Sequence, residues 1–315
     1  MKKYIVSIVT IIILVGLHFY MDPNPKKVIE NHLKNKYNEE FVVELLGKRN
    51  KTYEAIIYPQ KYVGTPKEND TYYWGRGFAK GRNGGDTYGL VLLNESTNEF
   101  FLPKLKELFG ENVLPVFNMG PGYNKNNFKE ELETMKKAYK EYPTANFEPI
   151  SGGIYIFGRV ENDKDREWYR KQIYEFVQFM KQTGTFEYVA LGIIIIDDRV
   201  LSKEFQENED LKAKLVENGE KYWEKDRRYY SEVIRRELMN KELSQKVTPI
   251  INLEDINKSS MTNSLAWSNY NILLSFGLYS SKYVESMGWN RDSRPEVYTE
   301  LKNYDILSDI KFEDE

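Results

Sequence analysis

The chain opens Met1-Lys2-Lys3 and then runs from Tyr4 to Tyr20 (YIVSIVTIIILVGLHFY) without one Asp, Glu, Lys or Arg. No amphipathic helix or half-buried strand has that pattern, because it has no polar face. At 1.5 Å per residue the run reaches roughly 25 Å as a helix, a little short of the ~30 Å hydrocarbon core of a bilayer. It therefore reads as a short signal anchor or as the apolar part of a cleavable signal peptide. Cleavage favours small residues at the exit, and this run leaves through His18-Phe19-Tyr20-Met21, so the anchor is the expectation. Lys26 and Lys27 follow closely and nearly balance Lys2 and Lys3. Asp22 and the usual behaviour of a first segment favour a cytoplasmic N-terminus. Tyr4, Phe19 and Tyr20 suit the two interfaces.

An exported chain could have used disulfides, but this one has no cysteine. Stability has to come from burial, and thiol nucleophiles and cysteine metal sites are excluded. Only two histidines are present, His18 in the apolar run and His32. A Ser-His-Asp triad or a His-based zinc site would have to be built on His32 alone. On the first helix His32 reads as a packing or surface residue. The net charge is −3 with signs interspersed, which gives no footprint for nucleic acid. Tyrosine is abundant, at 24 residues. Rigid rings with polar tips suit binding surfaces, although compositional bias explains most of them more simply.

The pattern along the chain predicts a mixed α+β fold, one central sheet flanked by amphipathic helices, with a helical C-terminal segment. Three parts are expected: an anchor over residues 1–22, an α+β domain over 23–246, and a mostly helical segment over 247–315. Asn24 and Pro25 begin a helix with Ile29, Leu33 and Tyr37 on one stripe. Phe41–Leu46 and Thr52–Tyr58 read as strands of a hairpin. Val63–Gly89 reads as a polar, glycine-rich loop, and Tyr88–Leu93 as a strand. A short helix through Phe101, Leu105 and Phe109 ends at Gly110. Then come strand Val113–Phe117, a helix from Phe128 to Tyr142, strand Gly153–Val160, a helix ended by Gly184 and the apolar strand Phe186–Ile196. That alternation implies right-handed crossovers onto one sheet. Lys203–Asn240 reads as one or two charged surface helices, and Asn263–Tyr283 as a helix. There is no internal repeat.

Two places could carry function. Asp197 and Asp198 follow the IIII run at the C-terminal edge of a strand, where open α/β sheets place ligands and metals. They could bind Mg²⁺ or Ca²⁺ or serve as acid and base. The plainer reading is a solvated strand end with Asp198 paired to Arg199. Trp74, Arg76, Lys80 and Arg82 lie in the glycine-rich stretch Trp74–Gly85. Glycines let backbone N–H groups approach an anion, but no Gly-Lys-Ser/Thr follows. The plainer reading there is a hairpin loop over the surface. No motif names a cofactor, and none is expected.

The opening helix and hairpin, with KYNEEF at 36–41 and KTYEAIIYP at 51–59, resemble membrane-anchored extracytoplasmic proteins of Gram-positive-like bacteria. These include some immunity proteins for secreted toxins. That resemblance implies an envelope location and a protein partner. The residues themselves point to a single-pass, non-enzymatic envelope protein, held by Tyr4–Tyr20 and binding another protein or a cell-wall polymer. The alternative is a carboxylate-dependent hydrolase acting on a glycan through Asp197 and Asp198, which would need two carboxyls at a set separation.

Overall fold

In a computed structural model the described residues are 24–120, 125–141, 149–201, 253, 256–261, 272–280 and 283. The expected anchor and the expected helices over 203–240 lie outside them. Among the described residues no helix is long and apolar enough to cross a membrane. The fold is mixed α+β, and the described residues form two four-stranded sheets where one was expected. The chain divides into two units, residues 1–91 and 92–315.

In the first unit, helix α1 (Pro25–Tyr37) starts as its sequence dictates. Asn24 Oδ1 accepts from Lys26 N at 3.0 Å and from Lys27 N at 3.5 Å, and Pro25 occupies the first turn. The helix ends on Asn38 in the left-handed region, φ 53°. Strands β1 (Phe41–Arg49), β2 (Thr52–Pro59), β3 (Gly75–Lys80) and β4 (Asn83–Asp86) follow as an antiparallel meander. α1 covers one face, where Ile29, Leu33, Val43, Ala55 and Ile57 are buried.

The stretch expected as a glycine-rich loop is therefore sheet. Gly75, Gly77 and Ala79 alternate with Arg76, Phe78 and Lys80 along β3, which is the period of a strand. The glycines serve helix packing rather than flexibility. A Cβ on Gly77 would stand 2.8 Å from Ile29 Cγ2, and one on Gly84 would stand 2.5 Å from His32 Cβ.

Helix α2 (Tyr88–Phe109) leads out of this unit. It absorbs Tyr88–Leu93, expected as a strand, and so runs well beyond the short helix expected around Phe101. Asn94 and Asn98, one turn apart on it, accept hydrogen bonds from Met119 N (2.8 Å) and Phe117 N (3.1 Å). At its start the Tyr88 N–H donates to Asp86 Oδ1 at 2.9 Å, and the helical segment overrides the strand preference of Tyr88 and Val91. Gly110, φ 84°, closes α2 with its N–H on the Lys106 carbonyl.

The second sheet runs β5 (Val113–Phe117), β6 (Ile150–Gly158), β7 (Val189–Asp197) and β8 (Ile272–Tyr279) in spatial order. Pro115 is tolerated because β5 is an edge strand. α4 (Asp163–Thr183) links the parallel pair β6 and β7. β5 and β6 are antiparallel although α3 (Phe128–Glu141) lies between them, so only one of the two expected crossovers joins parallel strands. Ile193–Ile196 of β7 are buried on both faces, as their continuous apolarity requires. Phe101, Phe117, Phe128 and Phe176 are fully buried. Phe101 stacks on Phe117 at 4.8 Å between centroids and meets Phe128 at 5.6 Å and Phe176 at 5.8 Å.

β8 replaces the helix expected across Asn263–Tyr283, of which residues 263–271 lie outside the described set. Its ILLSFGLY run fits either period, and pairing with β7 decides it.

Candidate functional site

Sheet geometry sorts the expected site residues. β1–β2–β3 register places Glu44, Ile56 and Arg76 in one row, and β2–β3–β4 register places Glu54, Phe78 and Gly85 in the next. These rows lie on the face opposite α1. Arg76 and Lys80 are exposed there, while Phe78, Ile56 and Val42 are half-buried. This is an antiparallel sheet with one covered face and one face of mixed apolar and charged character.

Trp74 lies just before β3 and plays a different part from Arg76. Its ring stacks on Tyr58 at 5.9 Å, and its Nε1 donates to the Glu68 carbonyl at 3.0 Å. It pins the turns over residues 60–73 to the sheet edge. Arg82 is exposed in the two-residue turn Gly81-Arg82 between paired Lys80 and Asn83. Gly81 has φ 59°, the hallmark of a first turn position that favours glycine. Arg76 and Lys80 thus share a face, Arg82 sits at the end of the sheet, and Trp74 is a structural strut.

Asp86 carries no motif that marks it in the sequence. Its carboxylate is shielded from solvent, although the residue as a whole is half-buried because its backbone faces outward. Oδ1 accepts from Tyr37 Oη at 2.6 Å and from Tyr88 N at 2.9 Å. Oδ2 lies 2.6 Å from His32 Nε2 and 3.0 Å from Lys36 Nζ. Burial pushes this carboxyl up, but hydrogen bonds from Tyr37, Lys36 and His32 together hold it below the ordinary range. An ionised carboxylate can only accept, so Nε2 of His32 carries the shared proton. Burial and the adjacent Asp86 push the Tyr37 phenol up, and it stays protonated. Asp86 clamps α1 to the sheet, and no oxygen is left over for a substrate. The available signal was the spacing His32, Lys36, Tyr37 on one helix face.

At the far end of β7 the adjacent aspartates part company. Asp197 is buried, and Arg199 grips it through Nε at 2.8 Å and 3.0 Å, with Nη2 also bonded. The Arg199 N–H adds a bond to Oδ1 at 3.0 Å. Asp198 pairs instead with Arg159, beyond the end of β6, at 2.6 Å. Each hydrogen bond pushes its guanidinium pKa further up. The expected Asp198–Arg199 pair is replaced by two separate pairs, a local one between Asp197 and Arg199 and one between Asp198 and Arg159 across the ends of the parallel strands. A cation, or an acid-base role, would have to displace these arginines. Among the described residues no group of three or more His, Asp or Glu side chains is placed to hold a metal ion.

No family model matches the chain, and no curated protein matches it. Among solved structures it is similar to the crystal structure of a DUF5037 family protein from Ruminococcus gnavus, with 17% sequence identity and a TM-score of 0.35. That likeness covers 60% of this chain and 85% of the other.

Proposed function

We propose that this chain is a membrane-tethered protein whose folded part lies outside the cytoplasm and binds another protein or a cell-wall polymer, without catalysing a reaction. The observation that carries the reading is the open face of the first sheet. Along β3, Arg76, Phe78 and Lys80 project away from α1, with Ile56 and Glu44 beside Arg76. Aromatic and arginine side chains on a rigid strand are the types that most often dominate binding energy. The tether rests on the uncharged run Tyr4–Tyr20. Toxin immunity is one form this binding could take, by resemblance alone.

The test uses a photo-crosslinking residue at Phe78 or at Ala79 of the full chain in cells. Phe78 should yield a discrete adduct in the membrane or wall fraction, and Ala79, which faces α1, should not. A chain found in the cytosol would remove the envelope reading. Equal, diffuse labelling from both positions would remove the binding face.

A further inference from the structure

We infer that the end of the first sheet where α1 begins is a docking surface for an anionic bilayer. This inference rests on the proposed tether. Contacts of Gly84 with Val28 and His32, and of Asp86 with Tyr37, show that β4 runs from the start of α1 towards its end. β4 is antiparallel to β3, β3 to β2, and β2 to β1. Both hairpin turns, Asn50-Lys51 and Gly81-Arg82, therefore lie at the end where α1 starts.

That end is strongly cationic. The β1–β2 turn carries exposed Lys48, Arg49 and Lys51, and the β3–β4 turn carries exposed Lys80 and Arg82. Lys26 and Lys27 sit in the first turn of α1, which has no acidic residue, although the helix dipole disfavours cations there. The acidic side chains near this end, among the described residues, are Glu30, 3.9 Å from Lys26, half-buried Glu54, and exposed Glu44, which lies farther along β1 beside Leu45 and accepts from the Tyr58 hydroxyl. Lys51 has φ 67°, a conformation glycine adopts more cheaply. A charge is kept there against backbone preference.

Two exposed leucines distinguish a bilayer from a soluble polyanion. Leu45 is 44% exposed and Leu46 52%. The register shifts between Leu45 and Gly47, which leaves Leu46 as the extra residue of a β-bulge. Gly47 allows the bulge with φ 147°. Exposed apolar side chains on the strand that leads into Lys48 and Arg49 match the boundary between acyl chains and anionic headgroups. Covalent reach fits as well. Only residues 21–23 separate Tyr20 from Asn24, so the start of α1 lies within ~15 Å of the apolar run even at full extension.

The absence of native cysteine permits a single reporter. Leu46→Cys in the full chain is labelled with an environment-sensitive dye. The chain is mixed with phosphatidylcholine vesicles, or with vesicles also containing phosphatidylglycerol. Docking predicts a blue shift and at least ~threefold protection from iodide only with phosphatidylglycerol, both lost in high salt. Lys48→Gln, Arg49→Gln and Lys51→Gln together should abolish the response, while Lys104→Gln with Lys106→Gln should keep it. Equal dye exposure in both vesicle types would overturn the docking surface. So would a response to soluble polyphosphate with none to vesicles. Flotation reads the tether separately: a chain that fails to float with neutral vesicles loses the tether, whatever the dye reports in anionic ones.

Discussion

Asp86 Oδ2 and His32 Nε2 stand 2.6 Å apart, although 54 residues separate them in the chain. That contact, with the bonds from Tyr37 and Lys36, joins the first helix to the last strand of its sheet. Asp86→Ala would strand the Tyr37 hydroxyl and the Tyr88 N–H in a shielded place. We expect a loss of roughly 2–4 kcal/mol, read by chemical denaturation. A loss under about half a kcal/mol would show that the clamp is incidental.

The same carboxyl sets an acid response. Its folded pKa lies below its ordinary 3.8, so the unfolded chain binds its proton first as pH falls. The stability it contributes is present above about pH 4 and is lost as pH falls through the folded value. Asp86→Asn should unfold with a flatter pH dependence than wild type below pH 4. Parallel profiles for the two proteins would assign acid sensitivity to other carboxylates.

Gly158 and Tyr169 form a second tight fit. A Cβ at residue 158 would clash with Tyr169 Oη, and the next atom, Cζ, is 3.2 Å away. Gly158→Ala should cost about 1–3 kcal/mol through overpacking. Adding Tyr169→Phe should restore a large part of that loss, giving a positive coupling in a double-mutant cycle. Simple additivity would mean that the backbone, not the hydroxyl, demands glycine there.

Trp74 and Arg76, two residues apart, should behave oppositely. Trp74→Ala removes the stack on Tyr58 and the bond to Glu68, for about 2–3 kcal/mol of stability. Exposed Arg76→Ala should leave stability within about 0.5 kcal/mol while weakening partner capture. A stable Trp74→Ala protein would reopen the indole as a contact residue.

At β7, Arg199→Gln should cost about 3 kcal/mol by removing the guanidinium that neutralises the buried Asp197 carboxylate. With arginines on both aspartates, Mg²⁺ or Ca²⁺ should not move the melting temperature of wild type. A rise that disappears in Asp197→Asn with Asp198→Asn would instead make the pair a cation site.

Local signals carried much of the fold. Asn24 with Pro25, Gly110 and Gly184 after their helices, and the isoleucine run of β7 all mark elements where they occur. Failures came where a distant partner decides. Tyr88–Leu93 has strand-like composition, yet it forms the start of α2, whose next turns are bonded by Asn94 and Asn98 to residues 119 and 117. β8 is a strand because β7 offers an edge. The alternation of Gly75, Gly77 and Ala79 with Arg76, Phe78 and Lys80 was present in the sequence, but glycine content masked it. For the candidate site, the donor stripe His32, Lys36 and Tyr37 is legible on one helix face, but its acceptor Asp86 is not, because it lies on a strand far along the chain. The exposure of Arg76, Lys80 and Arg82 follows from strand period and turn chemistry alone.

The pairing of β8 with β7 also sets an order of events during synthesis. All strands of the first sheet are neighbours in sequence, so that unit can close soon after its last residue emerges. β7 finds β6 at once but must wait for β8, about 75 residues later. At ~5–20 residues per second that wait is roughly 4–15 s, during which Ile193–Ile196 present an unpaired apolar edge. A nascent chain in that interval is open to edge-to-edge association, so its yield should respond to holding chaperones more strongly than its final stability would suggest.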